Sequence, residues 1–499
     1  MFVEAFPKFE HSKFVRVLRA YFGSPWNAIV VALLMTVSAL FGWEIPVAYC
    51  YLAIVFLVCF FCEDTLGLVP IVCFTPLALS VRNNPTKFPE TIFSTPSSLL
   101  QIGFCAALLA VLMIARLISL LIQNPRRGFP KLTAGFAALI VAYMIGGVGS
   151  SFYSSQSALF GLMEGAAICT FYFYFYFTVN WKNVRKGFLP FVFAVLGFAL
   201  VVQTLNMYFQ EGVMVDGVIP GWGTYNNIGC ITAMCVPAVF YCAATQKQGW
   251  IFTLLATVVM LGVVLTQSRG AILFGAIVYL AGAVTVLVKT KKLERYFHIA
   301  VLAAALITVT VCVAVFREKL KNIFDALLDI GLDDDGRKPL FEKAWEYFLS
   351  YPVFGVGWGG ERWVENGGSF INYFMAHNTY LQILGCLGTF GMIAYAFHRA
   401  QTLLLFLRRI TIEKFFIALI VAALLMTCWI DCHIFSVYPA IYYSICLVFL
   451  EGIDKREKEN GRMLPKRKRS CASRPSFKSL IKYENSKTPR NTVPRGSTL

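Results

Sequence analysis

Residues Trp250–Lys289 read WIFTLLATVVMLGVVLTQSRGAILFGAIVYLAGAVTVLVK. Two apolar runs, about 250–267 and 270–288, meet at one polar turn, Thr266-Gln267-Ser268-Arg269-Gly270. About 17–25 apolar residues in helical form cross a hydrocarbon core of about 30 Å. In lipid, every backbone polar group needs an internal partner, so runs of this kind are helices. The pair therefore enters the membrane, surfaces at a turn carrying an arginine, and enters again.

The rest of the chain repeats the pattern. Apolar runs lie at about 27–43, 46–62, 66–80, 98–121, 132–150, 157–179, 188–209, 224–244, 250–267, 270–288, 297–315, 376–398, 414–430 and 435–451. Of the 499 residues 58% are hydrophobic and 14% charged, against about 45–50% and about 25% in soluble domains. The fold class is an all-α polytopic membrane protein of about 12–14 transmembrane helices. The count is fourteen, or twelve where the pair at 46–80 forms a re-entrant hairpin. One long polar segment, 316–375, interrupts the series and is expected to be a large external loop containing short helices. The N-terminal stretch from Met1 to Tyr21 carries charges throughout and shows no cleavable signal pattern.

Charge orders the loops. Arg126-Arg127 with Lys131, Lys182 with Arg185-Lys186, Lys247, Lys289 to Arg295, and Arg399 through Lys414 are the basic ones. With fourteen spans and a cytoplasmic N-terminus, all of them fall on the cytoplasmic side, as positive-inside bias expects. The segment 316–375, with 10 acidic against 7 basic residues, falls outside. The expected organisation is a cytoplasmic N-terminus at 1–25, helices one to eleven across 26–315, the external loop at 316–375, helices twelve to fourteen across 376–452, and a tail at 453–499. That tail holds 14 Lys or Arg against 4 Asp or Glu, centred on Lys466-Arg467-Lys468-Arg469. Its polar, Ser/Pro-rich composition predicts disorder. Its charge is read as topogenic, facing an anionic inner leaflet, rather than as a nucleic-acid surface. Membrane lipids are the expected partners, and no nucleic acid.

Several polar clusters fall at one membrane face. Arg269 carries a planar guanidinium fork that matches phosphate bidentately, or else snorkels to headgroups; Gln267 and Ser268 add neutral donors. His377, in Ala376-His377-Asn378-Thr379-Tyr380, has the one side chain whose ordinary pKa lies near neutrality, which suits abstraction of a hydroxyl proton. Asn378 beside it is placed to orient that ring or bind a hydroxyl. Asn226 and Asn227 open the run at 224–244, as helix caps or as ligands for carbohydrate hydroxyls. Asp431 and His433 form a fourth cluster at the same level. Glu164 sits well inside a run, and intramembrane acids default to functional hypotheses unless paired internally. Asp333-Asp334-Asp335 lacks the spacing of a cation loop and reads as a solvated turn. The 15 cysteines show no metal-type spacing, and Cys59 and Cys62 have no matching second pair. Phe171 to Phe177, alternating Phe and Tyr, reads as packing or lipid contact. No metal and no cofactor are expected.

Within 316–375, Leu340, Phe341, Ala344, Trp345 and Phe348 recur at helical spacing. They predict a short amphipathic helix on the membrane surface or over a cavity. Pro352, Gly355, Gly357, Gly359 and Gly360 then break regular structure and permit close backbone approach.

Leu265-Thr266-Gln267-Ser268-Arg269-Gly270, then Gly336-Arg337 with Trp345, then Tyr351-Pro352-Val353-Phe354-Gly355-Val356-Gly357-Trp358-Gly359, then His377-Asn378-Thr379-Tyr380-Leu381-Gln382, resemble in order and spacing the bacterial O-antigen ligase/polymerase family. The likeness covers roughly 220–400. It implies an inverting, metal-independent glycosyltransferase of the bacterial cytoplasmic membrane, with both termini inside. Its donor would be an undecaprenyl-pyrophosphate-linked glycan and its acceptor a glycan or lipid-linked glycan. By motif match Arg269 would take the pyrophosphate, His377 would activate the acceptor hydroxyl, and Arg337 would be a second anion contact. Ligase members often carry an extra Arg before the run at 224–244, where this chain has Gly221-Trp222-Gly223. That tilts the expectation towards a polymerase. The competing class is a transporter of lipid-linked sugars. Transporters tend to place polar sites near the midplane between repeated halves, whereas these clusters lie at one face and no internal repeat is evident.

Overall fold

The structure is a computed structural model, and it describes residues 12–41, 43–79, 96–123, 128–151, 155–211, 218–219, 223–315, 337–358 and 375–463. Trp222, Asp333-Asp334-Asp335, Gly359-Gly360 and Lys466 to Arg469 lie outside these residues, as does the side chain of Glu164. The chain divides into two units, Met1–Lys455 and Arg456–Leu499. The described part of the second, 456–463, is the end of the last helix.

The protein is an all-α polytopic membrane protein. The helices are α1 (Lys13–Phe22), α2 (Trp26–Phe41), α3 (Glu44–Phe61), α4 (Leu68–Leu79), α5 (Pro96–Gln123), α6 (Thr133–Ser151), α7 (Ser155–Thr178) and α8 (Phe188–Glu211). They continue with α9 (Tyr225–Thr245), α10 (Gly249–Leu265), α11 (Arg269–Lys289), α12 (Lys292–Val315), α13 (Arg337–Ser350), α14 (Thr379–Leu407), α15 (Ile412–Thr427) and α16 (Val437–Met463). A two-residue antiparallel pairing, Val218–Ile219 with Gly223–Thr224, precedes α9. Each of the fourteen apolar runs coincides with one helix. Among the described residues, eight helices are individually long and apolar enough to cross a bilayer, or nine with the bent pair α1–α2. The 17-residue α10 and Ile45–Phe61 of α3 are shorter apolar helices.

The core sits around α9, whose residues from Asn227 to Ala243 are all buried. It packs against α8, α10, α11 and α15. The periphery is lipid-like in character: α12 leaves Leu293, Leu306, Ile307 and Val311 exposed. In the Phe/Tyr run of α7, Tyr172, Tyr174, Phe175 and Tyr176 are buried, so that face is packing. The described cysteines are free thiols, Cys59 and Cys62 included.

The loops between helices gather at two opposite ends. At one end, Lys131 and Lys414 both pair with Asp454, at 2.8 and 2.9 Å. Glu451 accepts from the Lys131 amide at 2.9 Å and from the Tyr172 hydroxyl at 2.5 Å. Glu413 accepts from the Gly187 amide at 2.7 Å. Lys131, Lys414 and Asp454 come from three of the basic regions, and pairing them avoids the cost of isolated charge in a low dielectric.

At the other end, α14 is broken. Gly388 has φ 63° and ψ −162°, a backbone state essentially restricted to glycine. Across the break the Tyr380 and Tyr395 rings lie 6.0 Å apart, whereas 15 residues of straight helix rise about 22 Å. The short stub Thr379–Leu387 therefore folds back towards the long arm 389–407. The segment Pro352–Trp358 clasps the break: Thr389 N donates to Pro352 O at 2.8 Å, Phe390 N to Val353 O at 3.0 Å, Val356 N to Gly385 O at 3.0 Å and Gly357 N to Cys386 O at 2.9 Å. Gly355 and Gly357 take positive φ there, and a side chain on either would strike the backbone of Cys386 or Ser150. That is the close approach the glycine spacing predicts. Trp358, 1% exposed, plugs the gap to α6, donating from its ring to Tyr143 O at 3.3 Å and from its amide to Ser150 Oγ. The amphipathic helix is α13: Ala344 and Tyr347 are buried towards α14, while Trp345 and Leu349 are exposed.

Candidate functional site

The site forms where four connections meet: the turn 266–268 between α10 and α11, the entry to α9, the residues 375–378 before α14, and the turn 428–436 between α15 and α16. Asp431 is the centre of it. Its Oδ1 lies 3.1 Å from His377 Nδ1 and accepts from the Cys432 amide at 2.8 Å. Its Oδ2 accepts from Asn226 Nδ2 at 3.2 Å, and its backbone carbonyl accepts from Thr379 Oγ1 at 3.1 Å. The carboxylate can only accept, so His377 donates through Nδ1, and in a neutral imidazole that leaves Nε2 as the lone-pair nitrogen. The His377 side chain is 35% exposed and that of Asp431 12%. The acid is thus the buried partner and the imidazole the accessible one.

Burial alone would raise the Asp431 carboxyl. The hydrogen bond from His377, the neighbouring His433 and the Cys432 amide outweigh it and hold the group well below the usual carboxylate range. His433, fully enclosed in a short 3-10 turn, is pushed down by burial, which Asp431 partly opposes. Its Nδ1 lies 2.8 Å from Asn227 Oδ1. The paired asparagines at the start of α9 therefore each hold one member of the turn 431–433, Asn226 the acid and Asn227 the second histidine.

Arg269 and Arg337 approach the same turn from other sides. Gly270 packs on Ile430, where an added methyl would sit 3.5 Å from that side chain. Arg337, the first residue of α13, donates through Nη1 to Ile430 O at 3.3 Å. Gly229 of α9 fits against Thr266, Ser268 and Ala271, locking the TQSRG turn to the helix that carries Asn226. Ser268 is buried and precedes α11 without capping it through its side chain, and Arg269 is exposed at the first turn. Gln267 donates to the Tyr208 hydroxyl at 3.0 Å. Asn378 caps α14, its Oδ1 accepting from the amides of Tyr380 and Leu381 at 2.9 and 3.1 Å while Nδ2 donates to Trp429 O at 2.9 Å.

His377, Asn378, Asp431, His433, Asn226, Asn227 and Arg337 thus meet at one turn, whereas Gln267 bonds to Tyr208 of α8. One feature was not visible in the sequence. Three described non-glycine residues have positive φ, and two are Gln267 at 57° and His377 at 47°. Such backbone costs on the order of 1–3 kcal/mol each and concentrates at functional sites. Among the described residues, no group of three or more His, Cys, Asp or Glu is placed to hold a metal ion.

Residues 251–396 match the O-antigen ligase family. The chain carries a domain of that family. The match runs from α10 through the long arm of α14 and takes in the TQSRG turn, α13, the glycine clasp and His377. No curated protein matches the chain. The chain is accordingly a multi-pass membrane protein with a region similar to the O-antigen ligase family. Asn226, Asn227, Asp431 and His433 lie outside the matched residues, and the fold supplies them to the site from α9 and the turn after α15.

Proposed function

We propose that the protein transfers or polymerises an undecaprenyl-pyrophosphate-linked oligosaccharide at the outer face of the bacterial cytoplasmic membrane, as an inverting, metal-independent glycosyltransferase. The acceptor is a glycan or a lipid-linked glycan. His377 Nε2 takes the proton of the acceptor hydroxyl as that oxygen bonds to the anomeric carbon. The bond from that carbon to the pyrophosphate breaks on the opposite face, so configuration inverts. Asp431, already ionised, stabilises the imidazolium that forms. Arg269 and Arg337 face the pyrophosphate, whose negative charge grows in the transition state, where fixed cations are most effective. Gln267, Ser268, Asn226, Asn227 and Asn378 line the approaches. The clasp and α13 help exclude water that would hydrolyse the donor.

The observation that carries this reading is the His377–Asp431 contact at 3.1 Å, held in a strained turn beside the TQSRG motif. A polymerase is favoured over a ligase because Gly221-Trp222-Gly223 lacks the arginine that ligases often place there. The positive loops and the acidic balance of 316–375 support a cytoplasmic location for both termini.

The test is transfer by purified protein in nanodiscs with lipid-linked donor, with and without a chelator. His377→Ala abolishes transfer while donor binding persists. Arg269→Lys keeps charge but loses the fork and falls on the order of 10²–10³-fold. Full activity in His377→Ala, or a strict need for a divalent cation, refutes the assignment. In cells lacking the protein, lost ladders with single repeats retained identify a polymerase, and accumulated carrier-linked polymer a ligase.

A further inference from the structure

We infer that Gln382 is a positioning residue for the proposed base, holding the strained backbone that aims His377 at Asp431. This rests on the reading of His377 above. Gln382 lies one turn inside the stub of α14 and is 1% exposed. Its Oε1 accepts from the amide of Ala376 at 2.6 Å, the residue immediately before His377 and itself fully buried. The glutamine is fixed in turn: Nε2 donates to Cys386 Sγ at 3.2 Å, and the Cys432 thiol approaches Oε1 at 3.7 Å.

The geometry explains why a long amide is used here. His377 has φ 47°, a state a bulky residue leaves unless its surroundings over-determine it. After His377 the chain is tied by Thr379, whose amide donates to Cys428 O at 3.0 Å and whose hydroxyl donates to Asp431 O at 3.1 Å. Before His377, the bond from the Ala376 amide to Gln382 fixes the chain. The histidine is thus clamped on both sides by its own helix stub. Gln382 also touches Cys432, the neighbour of Asp431, so one side chain contacts the segments that carry both partners of the pair.

Removing the acceptor leaves a buried amide without its bond. The penalty is relieved most simply by letting 375–378 relax to ordinary backbone, which withdraws the imidazole from Asp431. Gln382→Met keeps length and loses the acceptor; Gln382→Glu keeps an acceptor oxygen at the same reach. Gln382→Met should lower kcat on the order of 10- to 100-fold, with donor KM unchanged and unfolding temperature close to that of the parent. Gln382→Glu should recover most of the rate. Hydrogen exchange of the full-length protein in nanodiscs should rise in peptides covering 375–378 in Gln382→Met and not across α9 or α16. If Gln382→Met yields no folded protein, Gln382→Asn, one methylene too short, carries the same test. Wild-type kcat and unchanged exchange in these variants, with His377→Ala inactive, overturn the inference and leave the proposed function standing. Activity in His377→Ala overturns the function itself.

Discussion

Replacing Gly388 by alanine tests the feature on which the site depends, the broken helix. Gly388 occupies φ 63° and ψ −162°, and for any other residue that region costs on the order of 1–3 kcal/mol. The added methyl would also lie 2.4 Å from Val353 O and 2.5 Å from Val353 C. Both atoms are backbone, so no side chain can swing aside. Relief requires the clasp to move, which endangers the bonds from Thr389 N to Pro352 O and from Phe390 N to Val353 O, each worth about 0.5–1.5 kcal/mol net. Strain and lost bonds together come to about 3 kcal/mol, a large share of an ordinary stability of about 5–15 kcal/mol.

His377 lies two residues before the stub Thr379–Leu387, so the loss should appear twice. Purified Gly388→Ala should unfold at clearly lower temperature, and its residual folded fraction should transfer glycan poorly. Gly270→Ala is the control. There an added methyl meets Ile430 at 3.5–3.6 Å, ordinary contact, inside a helix where alanine is favoured by about 0.5–1 kcal/mol. It should be neutral or slightly stabilising, although Gly270 follows Arg269 directly. Gly388→Ala with parental thermal stability and activity would refute the fold-back of α14 and the argument for how His377 is presented.

Other consequences can be measured. Asp431→Asn should reduce transfer on the order of 10- to 100-fold, the equivalent of about 1.5–3 kcal/mol for a hydrogen bond to a charged group. It should also remove an acid dependence. A carboxyl held below its ordinary pKa of about 3.9 adds stability that is present above that value and lost as pH falls through the lower folded pKa, so parent and variant unfolding temperatures should converge on acidification; a gap that stays constant with pH would count against the charge argument. A unique cysteine at Ser369, in a background without other accessible thiols, should react with a membrane-impermeant reagent in intact cells, and failure to label would reverse the topology. Deleting 464–499 should leave glycan assembly largely intact at matched protein level, and complete loss of product would give the basic tail a role beyond topology.

The helical architecture was legible because lipid enforces it. Each of fourteen apolar runs had to satisfy its own backbone, and each is a helix. The helix α13 was equally readable, from Ala344 and the aromatics around it at helical spacing. The break in α14 was not. Gly385, Gly388 and Gly391 sit in an apolar run that reads as one span, and a single backbone angle pair turns it into a stub and an arm. Periodicity carries no record of that angle.

The same reason explains what the sequence showed of the site and what it hid. Arg269, His377 and Asp431 stood out as polar residues at the ends of apolar runs, since placing them there has an obvious cost. Their partnership did not, because Asp431 reaches His377 only through a turn between α15 and α16 that is distant in sequence. Gln382 was harder still. Inside a helix, a buried glutamine reads as an internal hydrogen bond, and nothing in its spacing says that it reaches back six residues to a strained turn. Its significance appears once His377 is seen at φ 47°, because a conformation that unfavourable needs a cause on each side. Asn378 and Thr379 supply one side, and the Ala376–Gln382 bond supplies the other. A motif that looks like a histidine with neutral company is therefore better read as a histidine and its brace.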